Sequence, residues 1–347
     1  MATLAAWLHT IDPFALRLTN DVGVRWYGLA YITGFIGAWL VLRILAKRRL
    51  ILMTPEQASD AVFAVVLGTL IGGRVGYVLI YDISLLWTFM PSPPWWGLLA
   101  INRGGMSSHG GMMGIALACW WTARKMRIPA LHVMDCFALV SPIGVLCGRL
   151  ANFVNGELLG KIVAMPGEPA PRWAVKFPQE LLEGHAPPLT EEQSAQLDAL
   201  LLRVASPGDL RVDAIRTLID DIQNGATDLA HDLEPLLAAR HPSQLYQAAA
   251  EGLIVGLALW LIWAKPRRPG VIAGWFFIIY GAGRILTELW RLPDAHLAVQ
   301  RPGGLSYGQW LSVGMLAVGA ALLWRALRDR SAPLVGGWWS RKAAGAA

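Results

Sequence analysis

Seven stretches of the chain carry about the 20 mostly apolar residues that a helix needs to cross a bilayer core. They are 24–46, 58–81, 109–126, 130–148, 243–264, 271–290 and 307–326. A short basic turn (Arg124, Lys125, Arg127, Pro129) separates the third from the fourth. Pro142 is expected to kink the fourth, because proline removes a backbone donor. Between the fourth and fifth stretches the pattern changes, and 185–238 is polar and acidic. Thr190, Glu191, Glu192 and Gln193 read as a helix capping box. Leu197, Leu200, Leu201 and Val204 follow at helical spacing. Val212, Ile215, Leu218, Ile219 and Ile222 repeat it, and Gly225 fits a stop. The pattern predicts an all-α, polytopic membrane domain over 1–347, with seven spans and a small helical insert at 185–238. The insert is either a tolerated loop expansion or a lid or partner surface.

Composition points the same way. Hydrophobic residues make up 55% of the chain and charged residues 16%, against about 25% charged in soluble domains. This excludes a disordered chain, a collagen and a small disulfide scaffold. The 17 tryptophans suit the interfacial belts of membrane proteins. Cys119, Cys136 and Cys147 fall within spans with no ligand spacing, so they read as small buried hydrophobes. Residues 1–20 lack a basic start and a long apolar run, so no cleavable signal peptide is expected.

The net charge of +6 is mostly topological. Basic clusters follow spans one (Lys47, Arg48, Arg49), three (Arg124, Lys125, Arg127), five (Lys265, Arg267, Arg268) and seven (Arg325, Arg328, Arg330, then Arg341 and Lys342). The other side carries scattered arginines such as Arg103, Arg291 and Arg301. The positive-inside rule then predicts an outer N-terminus and a cytoplasmic C-terminus. Nucleic-acid binding would need one continuous basic face, so no nucleic-acid partner is expected.

Charges inside spans are expensive and mark function. Asp60 and Asp135 lie near cytoplasmic ends, where they would cap helices or pair with basic loops. Arg74, His109, Arg149, Glu157, Glu251, Arg284 and Glu288, with His241 at the boundary, are expected to converge on a polar pocket at the depth of outer-leaflet headgroups. Arg74, set among Gly72, Gly73 and Gly76, requires a carboxylate or a phosphate as partner. His109 sits in a Gly-rich stretch opening a helix, where it is a structural residue or a base. Arg149 presents a planar fork suited to phosphate, beside Asn152, Asn155 and Glu157. His241 is a cap or a ligand-facing group. Arg284 and Glu288 share one helix face at i, i+4, as an ion pair or as an anion clamp and its orienter. Metal-binding, nucleotide-binding and nucleophile-elbow motifs are missing from the sequence, so no metal and no cofactor are expected.

These residues resemble the prolipoprotein diacylglyceryl transferase family. The most specific match is Gly148-Arg149-Leu150-Ala151-Asn152-Phe153-Val154-Asn155-Gly156-Glu157-Leu158-Leu159-Gly160. Supporting matches are Arg25-Trp26-Tyr27-Gly28, Gly72-Gly73-Arg74-Val75-Gly76-Tyr77, Met106-Ser107-Ser108-His109-Gly110-Gly111, His241-Pro242-Ser243-Gln244-Leu245-Tyr246 and Gly283-Arg284 with Glu288. The insert is longer than the family norm, and Gln247 stands where the family usually has Glu. The resemblance implies an inner-membrane enzyme that moves diacylglyceryl from phosphatidylglycerol to the lipobox cysteine of a preprolipoprotein and releases glycerol phosphate. It implies essential positions at Arg149 and Arg284, with His109, Tyr27, Asn152, Glu157, Gly160 and Glu288 contributing. His109 is the candidate base, with a tyrosine or a lipid oxygen as alternatives. Arg149, Asn152, Tyr27, Arg74, Glu157, Gly160, His241 and Glu288 are the expected substrate-binding residues, and a monomer is the expected state. The competing classes are a lipid or small-anion transporter, which would want an inverted repeat and midplane charges, and a structural scaffold, which would not need the Arg149 segment.

Overall fold

A computed structural model describes residues 6–18, 23–101, 104–184, 186–292 and 302–339. Arg103, His185, Arg301, Arg341 and Lys342 lie outside the described residues. Helices dominate. α1 is Trp26–Lys47, α2 Pro55–Ile80, α3 Ser108–Met126 and α4 Ala130–Asn155. The insert supplies α5 (Glu191–Val204), α6 (Arg211–Gln223) and α7 (Thr227–Leu233). α8 (Ser243–Ile262), α9 (Val271–Thr287) and α10 (Tyr307–Arg328) follow. Each of the seven apolar stretches is therefore a helix. Five of them, α1, α2, α4, α8 and α10, are long and apolar enough to cross a membrane, and α9 is a shorter apolar helix of 17 residues.

Short strands accompany the helices, which the apolar pattern did not reveal because none exceeds four residues. β1 (Trp7–Leu8), β5 (Val175–Lys176), β6 (Ala239–Arg240) and β4 (Ile162–Ala164) form one sheet in that order, and β2 (Phe14–Arg17) pairs with β3 (Gly23–Arg25) as a hairpin.

The chain divides into two compact units. The first comprises Met1–Thr33, Gly144–Val255 and Ile279–Ala317, and the second Gly34–Ile143, Gly256–Ile278 and Val318–Ala347.

The first unit contains the sheet and the insert. Thr190 and Gln193 form the expected capping box at the start of α5. Leu197, Leu200, Leu201, Ile215, Leu218, Ile219 and Ile222 bury the predicted apolar faces against one another, joined by Leu229 and Leu233 of α7. Leu8 and Leu181 pack on this cluster, so the insert shares a core with the strands beside it. Lys176 donates to the Glu234 carbonyl at 2.9 Å and pairs with its carboxylate at 2.5 Å. The buried Arg240 and Glu180 pair at 2.6 Å, and Glu180 also accepts from the Ala238 amide at 3.0 Å.

The second unit is built on close backbone approach. Gly72 and Gly76 of α2 oppose Gly110 and Gly114 of α3. A Cβ on Gly76 would lie 2.6 Å from the Gly110 Cα, and one on Gly72 would lie 2.9 Å from the Gly114 Cα. Stripes of small residues at four-residue spacing let membrane helices touch in this way. Asp135 behaves as the charge pattern predicts, accepting from the Gly270 and Ala273 amides at 2.7 Å each and so satisfying the open start of α9. Asp60 lies 4.0 Å from Lys125 in an exposed pair. Cys119 and Cys136 are buried and unbridged.

His9 is fully buried among Trp7, Phe153 and Phe177. Burial lowers its pKa from 6.5 to about 4. Between those values the unfolded chain binds a proton that the folded chain refuses, so stability falls as pH falls through this window. The thermal midpoint in detergent should therefore drop more steeply from pH 7 to pH 5 for the natural chain than for His9→Leu, and parallel curves would refute the assignment.

Candidate functional site

In the first unit the polar residues gather on α4, α8 and α9. α4 was expected to end at residue 148. It continues through Asn155, so Arg149 and Asn152 stand on its last two turns rather than in a loop. The chain then turns through left-handed angles at Gly156 (φ 67°) and Leu158 (φ 57°).

The 157–161 segment that follows is pinned by its backbone. Gln244 Nε2 donates to the Glu157 carbonyl at 2.5 Å, and Ser243 Oγ to that of Leu158 at 2.9 Å. The Leu292 amide donates to the Leu159 carbonyl at 3.0 Å, and the Lys161 amide to that of Trp290 at 2.8 Å. Arg240 reaches the Gly160 carbonyl at 3.2 Å. Gly160 presses on the His241 carbonyl so closely that a Cβ there has no room. Gly160 and the Ser243-Gln244 pair thus hold this turn in place. The sequence singled out the motif without revealing that Ser243, Gln244 and Arg240 act on backbone carbonyls.

The Glu157 carboxylate accepts from Asn155 Nδ2 at 2.6 Å and Asn152 Nδ2 at 3.5 Å. Asn152 also faces the Tyr27 hydroxyl. Tyr27, Asn152 and Glu157 therefore form one chain of contacts. His241 lies nearby in sequence to this scaffold but faces aromatics. Its ring is 5.0 Å from that of Trp173, and its Nδ1 is 3.3 Å from the Tyr246 hydroxyl. Its pKa is lowered, first by burial and then by Lys161.

A second, denser cluster joins Arg149 to α8 and α9. Arg149 Nε and Nη2 both donate to Oε2 of Glu251, at 3.1 and 2.8 Å. Arg284 Nη1 lies 3.8 Å from Oε1 of the same carboxylate and 2.8 Å from Glu288. Glu288 also accepts from Ser306 Oγ at 2.7 Å and lies 3.7 Å from Arg291. Thr287 Oγ1 donates to Glu251 at 3.0 Å, and Tyr280 lies beside Arg149. The row runs Arg149, Glu251, Arg284, Glu288, Arg291, with alternating sign. The Arg284–Glu288 pair expected from i, i+4 spacing is present. Thr287, Tyr280 and Ser306 carried no signal in the sequence, because a neutral residue in or beside a span is unremarkable until its partner is known.

The second unit holds Arg74 and His109. Arg74 has no carboxylate partner among the described residues. Its guanidinium donates to four carbonyls: Gly97 at 2.5 Å, Leu98 at 2.8 Å, Gly104 at 2.7 Å and Gly105 at 2.9 Å. The five donors of a guanidinium suit this use, and carbonyl oxygens stand where a carboxylate was one of the two expected partners. Gly105 adopts φ 79° and packs so tightly on Arg74 and Tyr77 that a Cβ would come within 2.7 Å of the guanidinium. Ser107 then caps α3, accepting from the Gly110 amide at 3.3 Å, and its own amide donates to Gly73. His109 follows in the first turn, half-buried, with no hydrogen bond or ion pair among the described residues. Arg74 thus braces the glycine-rich stretch that delivers His109. No group of three or more metal-ligating side chains occurs among the described residues.

Comparison with known proteins bears on what such a set of residues does. A family model for prolipoprotein diacylglyceryl transferase matches residues 13–325. The phosphatidylglycerol–prolipoprotein diacylglyceryl transferase of Bdellovibrio bacteriovorus is 42% identical over 332 residues, covering 91% of this chain and 93% of its own. The transferases of the same name from Xanthomonas oryzae pv. oryzae (330 residues, 95% of each chain) and Xanthomonas campestris pv. campestris (318 residues, 91% and 92%) are 37% identical.

Arg74→Lys keeps the charge but cannot reach four carbonyls. It should lose about 1.5–3 kcal/mol of stability, read as a lower thermal midpoint in detergent, with amide exchange at Leu98 and Gly104 rising first. An unchanged midpoint would show that the brace is dispensable.

Proposed function

The chain belongs to the prolipoprotein diacylglyceryl transferase family, and from that premise we propose that it transfers diacylglyceryl from phosphatidylglycerol to the lipobox cysteine of a preprolipoprotein. The observation that carries this reading is the gathering of Arg149 and Arg284 about the buried Glu251. Two guanidiniums brought together inside a membrane protein suit an anionic group, and the lipid phosphate is such a group.

The reaction balances simply. The cysteine thiol gives up its proton, and its sulfur attacks the glycerol carbon that bears the phosphate oxygen. A C–S bond forms, the C–O bond breaks, and glycerol phosphate leaves with the electron pair. Charge therefore grows on the phosphate as the bond breaks. Arginines in a low-dielectric site stabilise that growth without reorganising. A thiol is a weak nucleophile until it loses its proton, and the family resemblance assigns that step to His109. The polar contacts of Tyr27, Asn152 and Glu157 suit the orientation of the glycerol portion.

The basic clusters support an N-terminus in the periplasm and a C-terminus in the cytoplasm. In that orientation the halves of α8 and α9 that carry Glu251 and Arg284 work toward the outer leaflet of the inner membrane. The working state proposed is a monomer with no cofactor.

Purified protein in detergent, mixed with phosphatidylglycerol and a lipobox peptide, should add the diacylglyceryl mass to the peptide cysteine. Absence of that gain with active lipid and thiol present would sink the reading. Arg149→Ala should lower the rate about 100- to 1,000-fold while the protein still elutes as a folded species. A wild-type rate would refute the phosphate role. His109→Gln should slow transfer with little change in lipid binding. Should the variant run at the normal rate across high and low pH alike, His109 is not the base.

A further inference from the structure

Glu251 is completely buried and lies at the centre of the charged row. Its two oxygens have separate partners. Oε2 takes both Nε and Nη2 of Arg149, and Oε1 takes the Thr287 hydroxyl and faces Arg284. One edge of the Arg149 fork is thereby fixed, and the plane of the guanidinium with it.

The backbone is shaped to deliver this carboxylate. Residues Ala248–Ile254 of α8 form a π-helix with Glu251 at its middle. Such segments carry an energetic cost and recur at functional sites. Gly252, the next residue, packs directly on α4. A Cβ there would lie 2.8 Å from both Cα and Cβ of Leu146. Leu146 is one turn before Arg149, so the missing side chain at 252 is what lets Glu251 come within bonding distance of Arg149.

Two largely desolvated guanidiniums without a counter-ion would repel each other, with nothing to offset the lost hydration. With Glu251 between them they can share a site, and their hold on an added anion is tempered. The same charge that spaces the arginines opposes excessive retention of a phosphate.

We propose that Glu251 is a positioning residue for diacylglyceryl transfer: it sets the orientation of Arg149 and the spacing of Arg149 and Arg284, and its charge keeps the departing glycerol phosphate from being trapped. This role rests on the transferase reading above.

The test compares the wild type with Glu251→Gln and Glu251→Asp, using phosphatidylglycerol and a lipobox peptide in detergent, with glycerol phosphate as added inhibitor. Gln preserves shape and removes charge. Its kcat should fall about 10- to 100-fold, the KM for phosphatidylglycerol should stay the same or fall, and glycerol phosphate should inhibit at several-fold lower concentration. Asp keeps the charge on a shorter arm, so it should restore wild-type inhibition by glycerol phosphate while kcat stays below wild type. A purely structural role would instead lower kcat in proportion to the folded fraction, with KM and inhibition unmoved, and that result overturns the proposal. So does a Gln variant with wild-type kcat. If Gln does not fold, Asp decides alone, and a wild-type kcat for Asp overturns it. A wild type that transfers nothing would refute the transferase reading itself, whereas an active wild type with indifferent variants would refute the role of Glu251 alone.

Discussion

The polar arrangement of the first unit depends on one constraint, which is that a guanidinium buried in an apolar helix bundle must be compensated. Arg149 and Arg284 meet this through Glu251 and Glu288. Removing one partner from such a buried pair typically costs about 3–5 kcal/mol, so the four side chains stand or fall together. Their helices are then committed. α4 must continue as far as Arg149, α8 must present Glu251, and α9 must carry Arg284 and Glu288 on one face. The π-helix and Gly252 read as consequences of that commitment.

A different solution serves the second unit. Arg74 is compensated by carbonyl oxygens, which carry partial charge and need no acidic residue. The glycines that surround it act in two ways. Gly72 and Gly76 allow α2 and α3 to touch, while Gly105 allows the chain to pass close over the guanidinium at positive φ. The brace positions the start of α3 and so His109. Two arginines that look alike as intramembrane charges thus have different work, one paired with a carboxylate beside a candidate phosphate site and one stitching a loop.

Much of this was legible in the residues. The seven apolar stretches all became helices, the capping box at Thr190 formed, and the apolar spacing of the insert gave the buried faces of α5 and α6. Those features are periodic or local, and a periodic signal survives without knowledge of partners. The third helix of the insert and the strands among the described residues leave no periodic signal because they are short. The continuation of α4 past residue 148 escaped because Arg and Asn look like a loop when no buried acceptor is known. The local Arg284–Glu288 pair was legible from its spacing, whereas the pairing of Arg149 with Glu251 was not.

The sequence by itself determined the membrane class, the positions of the helices, the polar residues placed at cost within them and the family to which they belong. These depend on span length, charge and motif, all of which are properties of neighbours along the chain. Tertiary structure alone decided the pairings between distant segments. Arg149 and Glu251 are 102 residues apart, and Arg74 reaches carbonyls 23 to 31 residues away. A pairing of that kind requires helices to approach, and approach is set by the volume of side chains such as those missing at Gly252 and Gly72. That is why the charged row, rather than any one of its members, became visible only in three dimensions.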